Sequence, residues 1–244
     1  MSLTIGSRTF APRLLMTLLT LVVFSGLISL GRWQLHRAAE KRVLYQQFSD
    51  GTSATQSIAK DTPAVTRYQH VEVRGRYDQT RQVLVDSMVD EAGRVGYYVI
   101  TPLILDGGGL LLVNRGFVPQ GRSRKVLPPI AVDAEERRIT GRIDHMPVAG
   151  IQLGERLPLK PPFPVVASFP SRAEIGALLN ESDFSSAGDL LLLDRDQPDG
   201  YERNWVPPGF PPERHIGYAV QWFGLAAALL VIYIVTNTKK TVQA

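Results

Sequence analysis

Cysteine is absent from all 244 residues. That excludes a disulfide framework, a thiolate metal site and a cysteine nucleophile, so any folded region is stabilised by its core alone. Histidine is scarce: His36, His70, His145 and His215 are the whole supply. There is no Gly-x-Ser-x-Gly elbow, no phosphate-binding glycine loop and no His-Glu-x-x-His pair, so the usual hydrolase, nucleotide and zinc-protease constellations have no foothold. Asp194-Arg195-Asp196 starts like a calcium loop, but the remaining ligands do not follow and the triplet reads as a solvated turn. Acidic residues are missing from both ends: residues 1–13 and 236–244 contain neither Asp nor Glu. No internal repeat is present.

What the chain does have is two long uncharged apolar runs, Leu14–Gly31 and Ile216–Val235. About 20 apolar residues at 1.5 Å per residue span the hydrocarbon core of a bilayer. The expected layout is a tail at 1–13, a membrane helix at 14–31, a large domain at 32–214, a second membrane helix at 215–235 and a tail at 236–244. Of the 27 basic residues, Arg8, Arg13, Lys239 and Lys240 lie in the tails, which leaves 23 in the middle against 23 acidic residues. The formal charge of +4 is therefore carried by the tails. Short basic flanks stay cytoplasmic, so both termini are expected in the cytoplasm and the central domain outside it. The charge balance is a topology signal and gives no reason to expect nucleic acid as a partner. The first run is longer than a signal-peptide core and is followed by Gly31-Arg32-Trp33-Gln34 rather than a small-residue cleavage site, so a retained anchor is expected. Nor is there an Arg- and Ser-rich amphipathic presequence of the mitochondrial type. The expected location is a bacterial inner membrane, with Trp33 and Trp222 at its interfaces.

Between the runs the pattern is mostly that of strands. Arg32–Phe48 continues the first helix, with Arg37, Glu40, Lys41 and Leu44 at helical spacing. Residues 68–75, 82–86, 97–105, 110–117, 136–143 and 190–193 are Val/Leu/Ile-rich or alternating. Asp106-Gly107-Gly108-Gly109 marks a hairpin between the third and fourth of them. Ser171–Leu179 reads as a short helix, and the proline-rich 206–212 segment as an extended lead-in to the second membrane helix. The expected fold class is therefore a membrane protein whose two terminal helices flank one mainly-β domain, an antiparallel barrel or sandwich of α+β type.

His215 stands out by position, at the start of the second apolar run. On a helix it shares a face with Tyr218, Ala219, Trp222 and Ala226. That stripe of an imidazole, two rings and two small residues offers a surface for a flat macrocycle with histidine as axial iron ligand, or for a neighbouring helix. The other histidines are less specific. His36 is expected to be solvated or facing headgroups, His70 to point outward from a strand, and His145-Met146 to lie in a loop. The basic clusters Arg122-Ser123-Arg124-Lys125 and Arg137-Arg138 read as solvated.

Four motifs then carry a resemblance. Gly31-Arg32-Trp33-Gln34-Leu35 with Arg37 and Lys41, Gly96–Leu103, Val113–Pro119 and Arg214–Phe223 resemble, in order and spacing, the signatures of the surfeit locus protein 1 family. Phe117 stands where much of that family has tryptophan. The resemblance implies an assembly factor for cytochrome c oxidase of the aa3 type, without catalytic turnover. It implies transient binding of haem a and help with its insertion into the oxidase catalytic subunit, with the haem a synthase as a further partner beside the lipid bilayer. His215 matches the family's proposed iron ligand. Tyr218 and Trp222 are the flanking candidates, and Arg32, Arg37, Arg115 and Arg214, expected near the membrane face, are candidates for pairing with propionates, with headgroup snorkelling or a structural ion pair as the alternative. A scaffold that holds oxidase subunits without touching haem is the rival. A sensor is weakened by the short tails, and a membrane enzyme by the missing constellation.

Overall fold

The computed structural model describes residues 3–5, 8–51, 54–148 and 157–240. In chain order the elements are β1 (Leu3–Ile5), β2 (Arg8–Phe10), α1 (Leu14–Asp50), β3 (Gln56–Ser57), β4 (His70–Tyr77), β5 (Val83–Val89), β6 (Val95–Leu105), β7 (Leu110–Pro119), β8 (Glu136–Asp144), β9 (Val165–Ala167), α2 (Arg172–Leu179), β10 (Leu190–Leu193), α3 (Pro212–Thr236) and β11 (Thr238–Lys240). They divide into two compact units, Met1–Gln46 with Pro207–Ala244, and Gln47–Val206.

The first unit contains the two apolar helices, both long and apolar enough to cross a membrane. Only 6% of the most apolar stretch of α1 and 11% of that of α3 is buried within the protein. Leu14, Leu15 and Val22 on α1 and Val220, Val231 and Val235 on α3 are exposed, as side chains facing lipid would be. α3 begins at Pro212, with Pro211 as its N-cap. Proline is well suited to the first helical position, where its missing N–H would have had no partner anyway, so the proline run both leads into the helix and starts it. The basic tails carry structure that composition did not reveal. β2 pairs antiparallel with β1 and with β11, setting Phe10 opposite Thr238. The Phe10 ring meets Tyr233 edge-on at 6.0 Å.

The second unit is a barrel. Its strands run β3-β4-β8-β10-β7-β6-β5-β9, and a further β4–β6 pairing closes β4, β8, β10, β7 and β6 into a ring. The choice between barrel and sandwich is decided by that closure, where Gly75 pairs with Leu105 and Tyr77 with Leu103. A side chain at Gly75 would place its Cβ 2.2 Å from the Ile104 carbonyl oxygen, so the two backbones can close only over glycine. The barrel departs from the antiparallel expectation at β10, which pairs antiparallel with β8 but parallel with β7. A parallel partner needs a crossover, and the path from β7 through β8, β9 and α2 to β10 provides it. β10 is buried at all four leucines, the unbroken apolar run expected of a strand covered on both faces.

Val71, Val73, Leu103, Leu111, Ile139 and Leu191 belong to one core cluster; a second gathers Val83, Ile100, Leu112 and Leu190 with Ile175 and Leu179 of α2. α2 is fixed at its start by a reciprocal capping box between Ser171 and Glu174 and ends on left-handed Asn180. The β6–β7 turn uses positive φ at Gly107, Gly108 and Gly109, which glycine adopts without strain.

The fold encloses two arginines, Arg115 and Arg203, and Arg115 is the more deeply buried. Arg115 is 1% exposed. Its guanidinium donates to the carbonyls of Asp199, Ile130 and Ala131 and to Gln82 Oε1 at 2.7–3.4 Å, and it lies over the rings of Tyr77 and Tyr201 at 5.5 and 5.1 Å. Desolvation pulls its pKa below the usual guanidinium range, and burial pushes the Tyr77 phenol up to about 12. The Asn114-Arg115-Gly116 motif is thus interior to β7. Gly116 takes φ +113° so that Tyr201–Arg203 can pack against it. Arg115→Leu is expected to destabilise the barrel by about 3 kcal/mol or more, because it strands the buried acceptors. Arg214→Leu, at an exposed position, is expected to stay within about 0.5 kcal/mol. Urea unfolding followed by Trp205 fluorescence compares the two.

Candidate functional site

The site is built on the pairing of α1 with α3. The buried positions of α1 are Gly31, Gln34 and Ala38, three and four residues apart; those of α3 are Pro212, Ala219 and Ala226, spaced by seven. These are the spacings of a single packed stripe along each helix. Contacts tie the stripes together in antiparallel register: Thr17 hydroxyl to Tyr233 hydroxyl at 2.7 Å, Gly31 against the Phe223 ring, Gln34 to His215, and Lys41 Nζ donating to the Pro208 carbonyl at 2.7 Å. As the α1 number rises, the number of its partner falls, from Tyr233 through Phe223 and His215 to Pro208 just before α3. The fit is tight at Gly31, where an added Cβ would lie 2.6 Å from the edge of Phe223. Small residues let two apolar helices approach without a hydrophobic drive from water.

His215 is half-buried near the N-terminus of α3. Its Nδ1 lies 2.8 Å from Oε1 of Gln34, which is itself only 9% exposed. The Phe210 ring approaches the imidazole edge-on at 6.4 Å, and the Arg214 guanidinium stacks 4.4 Å from the centre of Phe210. The stripe read from the sequence divides here. Ala219 and Ala226 are buried, Trp222 is half-buried, and Tyr218 is 40% exposed. Residues 218 and 219 differ by 100° around the helix, so one flank of the stripe enters the packed face and the other leaves it. Gln34 was not singled out as a site residue from the sequence. The available signal was an uncharged polar side chain on the same face as Gly31 and Ala38 at the end of an apolar run.

The other candidates fall elsewhere. Arg37 pairs with Glu40 at 2.7 Å and lies 6.0 Å over Trp33, and Arg32 is exposed. Arg115 is enclosed in the barrel and has no surface to offer a ligand, which corrects its placement near the membrane face. His36 is exposed and lies 3.2 Å from Glu40. His70 does not point freely outward: Nδ1 meets the Thr55 hydroxyl at 2.7 Å and Nε2 meets Asp194 at 2.6 Å. Asp194 also accepts from Thr140 at 2.6 Å, so it clamps strands rather than being a solvated turn residue. Arg137 is likewise tied down, at 2.7 Å from both Asp133 and Asp199. His145 faces Asp189 at 3.2 Å while Met146 is buried in the core, so the two do not converge on a metal. No group of three or more metal-ligating side chains occurs among the described residues.

With this geometry in place, comparison with known proteins is informative. The model of the SURF1 family matches residues 21–227, which takes in Gly31, Gln34, His215 and Phe223 of the helix pairing and the barrel. Surfeit locus protein 1 of Xenopus tropicalis is 28% identical over 247 residues, covering 88% of this chain and 73% of its own length. The SURF1-like protein of Rickettsia felis is 25% identical over 227 residues, covering 89% and 95%. Surfeit locus protein 1 of Takifugu rubripes is 29% identical over 241 residues, covering 86% and 92%.

Because the chain has no native cysteine, the pairing is directly measurable. Thr17→Cys with Tyr233→Cys is expected to cross-link readily with a short bifunctional reagent. Adding Gly31→Leu, which drives a side chain into Phe223, is expected to lower the yield several-fold. An undiminished yield would show that the close approach at Gly31 does not hold the helices.

Proposed function

The chain belongs to the SURF1 family, and from that premise we propose that it is an assembly factor for aa3-type cytochrome c oxidase that carries haem a on His215. The observation that carries the reading is His215 itself: an imidazole held in place beside two helices whose apolar surface is otherwise uncovered. The residues fit the group. His215 would supply one nitrogen ligand, Tyr218 and Trp222 would supply rings about one and two turns further along α3, and Arg214, stacked on Phe210 next to His215, would supply a guanidinium suited to a propionate. Haem would supply an iron centre that takes a nitrogen ligand, and His215 as the sole protein ligand would suit reversible binding and release.

The membrane setting gives this a physical purpose. Haem a has a long farnesyl tail, and each CH₂ kept out of water is worth about 0.8 kcal/mol. A ligand carried on an apolar helix lets that tail stay in lipid during transfer. The basic tails favour both termini in the cytoplasm and the barrel on the opposite side. In this reading the barrel recognises the oxidase catalytic subunit or the haem a synthase and performs no catalysis. The location is a bacterial inner membrane.

A scaffold that never touches haem is the second reading. It is favoured by Ala219 and Ala226, which are used in packing and so leave less of the stripe for a macrocycle. The two separate at His215. Protein produced together with haem a synthesis is expected to purify with a haem absorption spectrum, and His215→Ala to lose most of it. Colourless wild-type protein in the presence of abundant haem a would leave the scaffold reading standing.

A further inference from the structure

A neutral imidazole carries one proton on its two ring nitrogens, and only the other nitrogen offers a lone pair to a metal. In water the proton favours Nε2. In His215, Nδ1 faces the carbonyl oxygen of the Gln34 side chain at 2.8 Å. A carbonyl oxygen accepts and never donates, so this contact requires the proton on Nδ1 and leaves the lone pair on Nε2. Gln34 is held for this role. It is nine-tenths buried on α1, between Gly31 and Ala38, on the face that meets α3.

We propose that Gln34 is the positioning residue for His215: its amide oxygen accepts from Nδ1–H, sets the ring's orientation and presents Nε2 as the ligating nitrogen. This rests on the reading of His215 as a haem ligand and adds to it which nitrogen binds and what selects it. The arrangement also couples ligation to helix pairing. Gln34 belongs to α1 and His215 to α3, so the ring is set for ligation only while the two helices are packed together. A hydrogen bond from the non-ligating nitrogen is the usual way a protein fixes a metal-binding histidine. Here the acceptor is neutral, which orients the ring without adding the full basicity that a carboxylate would impart.

The test reads the tautomer without haem. The chain has four histidines, so imidazole-15N labelling of the full chain in lipid nanodiscs is tractable. The His215 signal is assigned by its loss in His215→Ala. At a pH where the ring is neutral, Nδ1–H is expected in the wild type and in Gln34→Glu, which keeps an acceptor, and Nε2–H in Gln34→Leu. Titration with haem a is expected to weaken by about 10- to 100-fold in Gln34→Leu and to be retained in Gln34→Glu, with a shifted Soret band from the more basic ring. Nε2–H in the wild type, the result if the amide nitrogen rather than its oxygen faces the ring, overturns the proposal. So does a Gln34→Leu variant that keeps Nδ1–H or binds haem as the wild type does. Wild-type protein that shows Nδ1–H yet takes up no haem refutes the carrier function and leaves the Gln34-held tautomer intact.

Discussion

The candidate site depends on the missing side chain at Gly31. With no Cβ there, the Phe223 ring can lie directly against the α1 backbone, and the two helices come close enough for Gln34 to reach His215. In lipid, apolar side chains gain little by leaving one hydrocarbon for another, so helix pairing relies on close packing and on the few polar contacts available. Gly31, Ala38, Ala219 and Ala226 provide the first, and Gln34–His215 and Thr17–Tyr233 the second. The chemistry of one imidazole is thereby tied to the fit of two helices.

The barrel meets an analogous constraint by different means. Its ring closes where β4 and β6 approach over Gly75, and its interior contains Arg115, a cation with neutral hydrogen-bond partners and two aromatic faces. Desolvating an ion is costly unless its donors are satisfied, and the fold meets that demand from several elements at once: Gln82 precedes β5, Ile130 and Ala131 lie before β8, and Asp199 and Tyr201 follow β10. Arg115 therefore holds together segments far apart in the chain. It belongs to the stability of the barrel.

Much of the fold could be read locally. The alternation in β4 and β8, the glycine turn between β6 and β7, the capping box of α2 and the four leucines of β10 are patterns that neighbouring residues set for themselves. The elements that escaped are those with no pattern of their own. β3 has two residues and β9 three, and each exists through pairing with a longer strand. The strands in the tails hold each other, and no periodicity marks three residues. Asp194 looked like part of a solvated turn because its partners, His70 and Thr140, are distant in sequence. The same holds at the site: His215 was legible from its place at the head of an apolar run, whereas Gln34 lies 181 residues away.

The two apolar helices, the charge asymmetry of the tails, the β-rich middle and His215 as the residue of interest are legible in the chain without its fold. Each follows from composition or from a short-range period, which the chain carries whatever its fold. Tertiary folding sets that five strands of the β domain close into a ring with one parallel pair, β7–β10. It also sets that Arg115 is interior, that the small residues of the His215 stripe belong to a helix seam, and that the imidazole meets Gln34. Those outcomes depend on which distant segments meet and how closely, and the close approach at Gly31 and Gly75 is set by the atoms that glycine lacks.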